Sequence, residues 1–180
     1  MESIYQLRLS DLENYFLSHD DKKFHAVQLF DWLYKKRIKS FDEVKNIKKE
    51  TLEQLKHDYF ITPLNILKKE EDQDVSKYLF ELSDEEKIEA VLMRHDYGMS
   101  ICVSSQVGCN MGCKFCESGR RKKVRNLKAS EMVRQILQVE EDSKVRISHV
   151  VIMGIGEPFD NYEEITKFIE IINHPKGLQI

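Results

Sequence analysis

No stretch of eighteen apolar residues occurs in the chain, so no segment reads as a membrane-spanning helix. The N-terminus, MESIYQLRLSDLENYF, has no basic segment followed by an apolar core, so a secretory leader is not expected. Internal repeats and low-complexity segments are absent as well, which argues against repeat arrays and disordered linkers. Charge of one sign is lacking: 28 Lys and Arg stand against 31 Asp and Glu, a net charge of −3, so any charge argument has to be local. Cysteine is scarce, and all four residues fall between positions 102 and 116. A disulfide framework would spread them to staple distant segments. A cluster of thiols with no export signal reads as metal-binding or redox-active in a reducing, cytoplasmic setting. What remains, 41% apolar and 33% charged over 180 residues, suits one domain with a real core, or one domain plus a small appendage.

The apolar period divides the chain in two. Residues 1 to about 62 read as helical. KKFHAVQLFDWLYKK puts Phe24, Val27, Leu29 or Phe30, and Leu33 near one face. Ser40, followed by Phe41, Asp42 and Glu43, has the form of an N-cap with acids in the first turn. KKETLEQLKHDYF is a further amphipathic helix, and the pattern breaks at Pro63. From residue 77 the period is two: KYLFEL, KIEAVLM and MSICVSSQ read as strands joined by the turns SDEE and HDYG, a short β-meander. A helix is expected near 128–142, with Ser130 as cap and Met132, Val133, Ile136 and Leu137 buried. SHVVIM at 148–153 has the continuous apolar run of a buried strand, GIGEP at 154–158 is a turn, and 161–173 is a last helix. Strand, loop, helix, strand, turn, helix is a parallel α/β order. The expected division is a helical unit over 1–75 and an α/β unit over 76–180.

Between strand and helix lies GCNMGCKFCESG, in which Cys109, Cys113 and Cys116 have the spacing C-x3-C-x2-C. Thiolates favour iron–sulfur clusters, zinc and Cu(I). Structural zinc usually takes four protein ligands as two separated pairs. A four-iron cluster held by three cysteines instead leaves one iron open for a small molecule. A zinc site completed by Cys102, and a set of metal-free thiols, are the alternatives on residues alone. GIGEP directly follows a strand, and its glycines let the backbone approach a ligand closely. Pro158 and Phe159 spoil a dinucleotide fingerprint there.

C-x3-C-x-aromatic-C, with Phe115 before the third cysteine, resembles the signature of the radical S-adenosylmethionine (SAM) superfamily. The wider pattern ICVSSQVGCNMGCKFC, then RNL, then VVIMGIGEP, resembles the RlmN/Cfr family of radical SAM methyltransferases of ribosomal RNA, over about residues 80 to 180. The resemblance implies an α/β fold, the N-terminal part of a partial (β/α)6 radical SAM barrel preceded by the meander and a small helical accessory domain of RNA-binding type. It implies a 4Fe–4S cluster on Cys109, Cys113 and Cys116, and SAM against Gly156 and Glu157. Glu89 matches a proton-accepting glutamate. Cys102 matches a cysteine that pairs with a C-terminal one to release product. The implied reaction methylates an adenine ring carbon, C2 as first expectation and C8 as alternative, in 23S rRNA and also tRNA. Flavodoxin is the implied electron donor, and a monomer is expected.

Local charge agrees with an RNA substrate: GRRKKVRNLK at 119–128 holds six basic residues and no acid, and residues 35–49 hold seven basic and two acidic. Glu117 departs from the family pattern, which has a small residue there, and raises the alternative of a divergent radical SAM enzyme with another substrate. No cysteine follows Cys116, and two β/α units cannot close a barrel. The chain therefore reads as the first half of a longer enzyme, inactive alone. A truncated protein that only binds metal or RNA is the remaining alternative.

Overall fold

Apolar residues three and four positions apart fold the first part of the chain into helices. The structure is a computed structural model that describes residues 1–61 and 64–180. The break expected at Pro63 lies outside the described residues. The chain divides into two compact units, Met1–Pro63 with Lys167–Gln179, and Leu64–Thr166 with Ile180.

In the first unit, strand β1 (Glu2–Ser3) is followed by helices α1 (Leu9–Ser18), α2 (Lys23–Tyr34) and α3 (Lys49–Asp58), and β2 (Tyr59–Phe60) pairs in parallel with β1. The buried stripe of α2 is Ala26, Leu29, Phe30, Leu33 and Tyr34. Phe24, expected in that stripe, is 50% exposed, and Val27 is only half-buried. Both lie a residue or more to one side of the arc that Leu29, Phe30 and Leu33 define. Ser40 does cap: its side chain accepts the Asp42 amide at 3.2 Å while Glu43 accepts the Ser40 amide at 3.0 Å. The element it opens is a single 3₁₀ turn, Phe41–Glu43. Asp21 ties the α1–α2 connection to α3. Its buried carboxylate accepts from the Lys22 amide and the Thr51 hydroxyl at 2.8 Å each, and meets His25 Nδ1 at 2.5 Å. Burial alone would raise the Asp21 carboxyl, but these hydrogen bonds outweigh it and lower its pKa from 3.8.

The second unit is a five-stranded sheet in the order β3 (Asn65–Glu71), β4 (Val75–Glu81), β5 (Lys87–His95), β6 (Gly98–Cys102), β9 (His149–Val151). β3 to β6 form an antiparallel meander, and β9 adds in parallel to β6, pairing Cys102 with Val151. β3, NILKKEE, carries no clean alternation and its register slips between Ile66 and Lys68. Pairing with β4, rather than its own pattern, makes it a strand. After β6 the chain forms a short antiparallel pair, β7 (Gln106–Val107) with β8 (Arg125–Asn126), and then helix α4 (Ala129–Ser143). Ser130, expected as its cap, lies buried inside the first turn; Lys128 is the cap residue, and its amide donates to Glu131 at 2.8 Å. Met132, Val133, Ile136 and Leu137 are buried as expected. They cover the sheet face that carries Tyr78, Phe80, Ile88, Ala90, Leu92 and Ile101, and the Tyr78 hydroxyl donates to Asp142 of α4 at 2.9 Å. The other face, with Leu79, Glu89, Val91, Met93 and Cys102, is only half-buried. A 3₁₀ turn (Pro158–Asn161) follows β9 and leads into α5 (Tyr162–Asn173). Among the described residues no helix is long and apolar enough to cross a membrane.

The lowered Asp21 pKa has a sign that can be tested. A depressed carboxyl contributes stability that is present above its unfolded value of 3.8 and is lost as pH falls through the lower folded value. Asp21→Asn therefore lowers the melting temperature at pH 7, and thermal melts followed by circular dichroism show the gap to wild type narrowing below pH 4.

Candidate cluster and cofactor site

The site-bearing loops leave the carboxyl ends of the two parallel strands, β6 and β9. A polar knot joins them. Ser104, fully buried just past β6, donates its hydroxyl to the Glu89 carbonyl at 2.6 Å and accepts the Ile155 amide at 3.0 Å. Gln135 of α4 serves the Ser104 backbone as a strand would: its Oε1 accepts the Ser104 amide at 2.9 Å and its Nε2 donates to the Ser104 carbonyl at 3.0 Å. Gln106 accepts the Glu157 amide at 2.9 Å and donates to Asn126 at 2.8 Å. Asn161 donates to the carbonyls of Ser105 and Leu127 at 2.9 and 2.8 Å. Every one of these groups would cost about 1–3 kcal/mol if buried unpaired, so the knot forms as a set.

The knot fixes the glycine turn. Gly156 has φ +116°, and a Cβ there would meet Gln106 Cβ at 2.6 Å and Ser105 Oγ at 2.8 Å. The protein's own packing thus demands glycine, beside any ligand. Glu157 caps the following 3₁₀ turn by accepting the Phe159 amide at 3.0 Å.

The cysteine loop begins at Gly108, where φ is +73° and a Cβ would fall 2.2 Å from the Lys122 carbonyl. Its neck is closed by backbone bonds from Val124 to Val107 at 2.7 Å and from Cys109 to Arg121 at 2.9 Å. Cys109 is buried, Cys116 half-buried and Cys113 exposed, and all are free thiols. Among the described residues no three Cys, His, Asp or Glu side chains are gathered at ligating distance. The donor set nevertheless fits a cluster: three soft thiols on one eight-residue loop, with Cys116 returning its amide to the Cys113 carbonyl at 3.0 Å. Phe115 is 94% exposed, and Glu117 pairs with Arg120 at 3.2 Å in the open.

Glu89 and Cys102 share the half-buried face of the sheet. Glu89 lies two residues along β5 from Val91, the partner of Cys102 in β6, which places the two at a diagonal of adjacent strands. β5 is an interior strand, so Glu89 is not on an edge. Lys77 holds its carboxylate at 2.8 Å. Burial pushes the Cys102 thiol above its ordinary 9.0, with a backbone hydrogen bond from Met153 acting in the opposite direction.

The basic run 119–128 behaves differently from the open patch that its composition suggests. Arg121 pairs with Glu86, and Arg125 bonds Asp84 at 2.7 Å and forks onto Glu131 at 2.8 Å through each terminal nitrogen. The Glu131 pairing drives the Arg125 pKa upward, and Arg125 holds Asp84 below the usual carboxylate range. Ser104, Gln106, Gln135 and Asn161 were not among the expected site residues. For Ser104 and Gln106 a signal lies in SSQ, three polar residues continuing an apolar strand; Gln135 and Asn161 have none.

Known proteins share this sequence and fold. Residues 3–61 match the ribosomal RNA large subunit methyltransferase N-terminal domain, and residues 103–180 match the radical SAM superfamily. Proteins named probable dual-specificity RNA methyltransferase RlmN are similar along the chain. The one from Listeria monocytogenes is 48% identical over 99% of this chain and 50% of its own length; that from Acholeplasma laidlawii is 50% identical over 98% and 53%. The crystal structure of a radical SAM methyltransferase from Sphaerobacter thermophilus superposes with a TM-score of 0.88 at 31% identity, over 100% of this chain and 54% of that one. The chain spans about half the length of the relatives it matches.

Burial of Cys102 makes its reactivity testable. Iodoacetamide labelling followed by peptide mass spectrometry at pH 8 should modify Cys102 several-fold more slowly than exposed Cys113, with the Cys102 rate still rising above pH 9.

Proposed function

We propose a function on the premise that the chain belongs to the RlmN family of radical SAM proteins: it contributes the cluster-binding and cofactor-binding half of an enzyme that methylates an adenine ring carbon in 23S rRNA, and in tRNA. C2 is the proposed target, with C8 the alternative. The observation that carries the reading is the convergence at one end of the parallel pair. The three-cysteine loop follows β6, the glycine turn follows β9, and Ser104 bonds the turn to the strand that bears Glu89.

Cys109, Cys113 and Cys116 are the residues that would hold a 4Fe–4S cluster, and Gly156 and Glu157 those that would face SAM. The chemistry these groups supply when bound is reductive generation of a carbon radical. The remaining roles belong to this chain's own side chains. Glu89 accepts the adenine ring proton on its carboxylate, kept in place by Lys77 at 2.8 Å. Cys102, a half-buried thiol on the same face, attacks the sulfur of a partner cysteine that is not among the four present here: the S–S bond forms as that sulfur's bond to the methyl-derived carbon on the base breaks, and the electron pair stays with that carbon, which takes up a proton. Since a thiol must ionise to attack, burial keeps Cys102 quiet until a base is near. The helical unit serves as an accessory RNA-binding domain. Lys122 and Lys123, next to the cluster loop, take phosphate in place of Arg121 and Arg125, which are paired with acids. Flavodoxin supplies the electron, and the enzyme is a cytoplasmic monomer.

Deletion of the gene tests this reading. Nucleoside mass spectrometry of 23S rRNA from the deletion strain should lack one methyladenosine that the parent strain contains, with the methyl group at C2. An unchanged set of methyladenosines overturns the function, and loss of an 8-methyl species moves the target to C8.

A further inference from the structure

The returning side of the cysteine loop is pinned by ion pairs to two other elements. Asp84 and Glu86 lie in the tight turn between β4 and β5, where the Leu82 amide donates to the Glu86 carbonyl at 2.8 Å. Arg121 donates to Glu86, and Arg125 Nε donates to Asp84 at 2.7 Å. Arg125 also forks onto Glu131 in the first turn of α4. The outgoing side, Val107 to Asn110, is bonded to this returning side by the Val124 and Cys109 amides and by the Lys123 amide, which donates to Asn110 Oδ1 at 2.9 Å. The outgoing side continues from β6, which pairs with β5 beside that turn, so the returning side swings away from it only when Arg121 and Arg125 leave three carboxylates.

We propose that this clamp, Glu86–Arg121 with Asp84–Arg125–Glu131, holds the neck of the cysteine loop closed and thereby sets how long the loop retains a bound cluster. Neck closure rests on geometry alone; cluster retention rests on the proposed function above. The ion pairs are partly exposed, with Arg121 55% and Arg125 30% open at the side chain. Their strength is therefore modest and screened by salt. The bidentate Arg125–Glu131 fork is the firmest of them.

The test uses the whole chain. Exchange of a hydrogen-bonded amide follows the population of its opened form, so hydrogen exchange at the Cys109, Lys123 and Val124 amides of the apo chain reports neck opening. Asp84→Asn combined with Glu86→Gln should exchange there about fivefold faster than wild type at ~0.1 M salt, the ratio equivalent to ~1 kcal/mol. Wild type should approach the variant's rate at ~1 M salt, where the screening length is only ~3 Å. Equal rates at low salt with unchanged melting temperature overturn the clamp. If the neutralised variant melts lower, the charge exchange Glu86→Arg with Arg121→Glu decides: restored protection supports the clamp and unrestored protection overturns it. Iron release to a chelator from the anaerobically reconstituted chain gives the second readout, expected to be faster in the neutralised variant. A chain that takes up no iron but keeps the exchange difference retains the clamp and loses the cluster reading. A chain that holds iron with identical rates in both forms loses the clamp and retains the cluster reading.

Discussion

The Ser104 hydroxyl is the point on which the α/β unit depends. It reaches one way to the Glu89 carbonyl on β5 and the other way to the Ile155 amide in the glycine turn. A serine at the end of an apolar strand would ordinarily cost free energy on burial. Here both of its hydrogen-bonding capacities are filled, and Gln135 fills those of its backbone. Three parts of the chain more than fifteen residues apart are thereby set in one register: the strand with the candidate base, the helix that covers the sheet, and the turn with the candidate cofactor contacts. Hydrophobic burial beneath α4 makes the unit stable; the knot decides where its functional backbone lies.

A second constraint acts on the cysteine loop. Three thiols close together can share a cluster only if the loop that carries them starts and ends at a defined place. Gly108 allows the outgoing strand to pass against the Lys122 carbonyl, and the short β7–β8 ladder closes the neck. The arginines that follow are bound to acids of the hairpin turn and of α4. The positive charge of Arg121 and Arg125 thus organises the protein itself.

Much of this was legible from residues alone. The thiol spacing, the GIGEP turn, the α4 stripe and the strand–helix–strand order are all local patterns, and each appears where it was expected. What was hidden depends on partners far along the chain. β3 is a charged segment made into a strand by β4. Phe24 has the right character for a buried stripe but the wrong angular position. Ser130 looks like a cap, yet Lys128 and Glu131 begin the helix two residues earlier. The basic run reads as a solvated or RNA-facing patch because its acids, Asp84 and Glu86, lie about forty residues earlier. Ser104 and Gln106 are unremarkable in composition and gain meaning only from Glu89, Asn126 and Ile155.

The central claim is that Cys109, Cys113 and Cys116 are the residues that would hold a four-iron cluster. Electron paramagnetic resonance of the anaerobically reconstituted and reduced chain, with and without SAM, tests it most directly. The account predicts about four irons per chain and a reduced-cluster signal that changes shape when SAM is added. Zinc in place of iron, or an iron signal that survives removal of all three thiols by substitution with alanine, would contradict it.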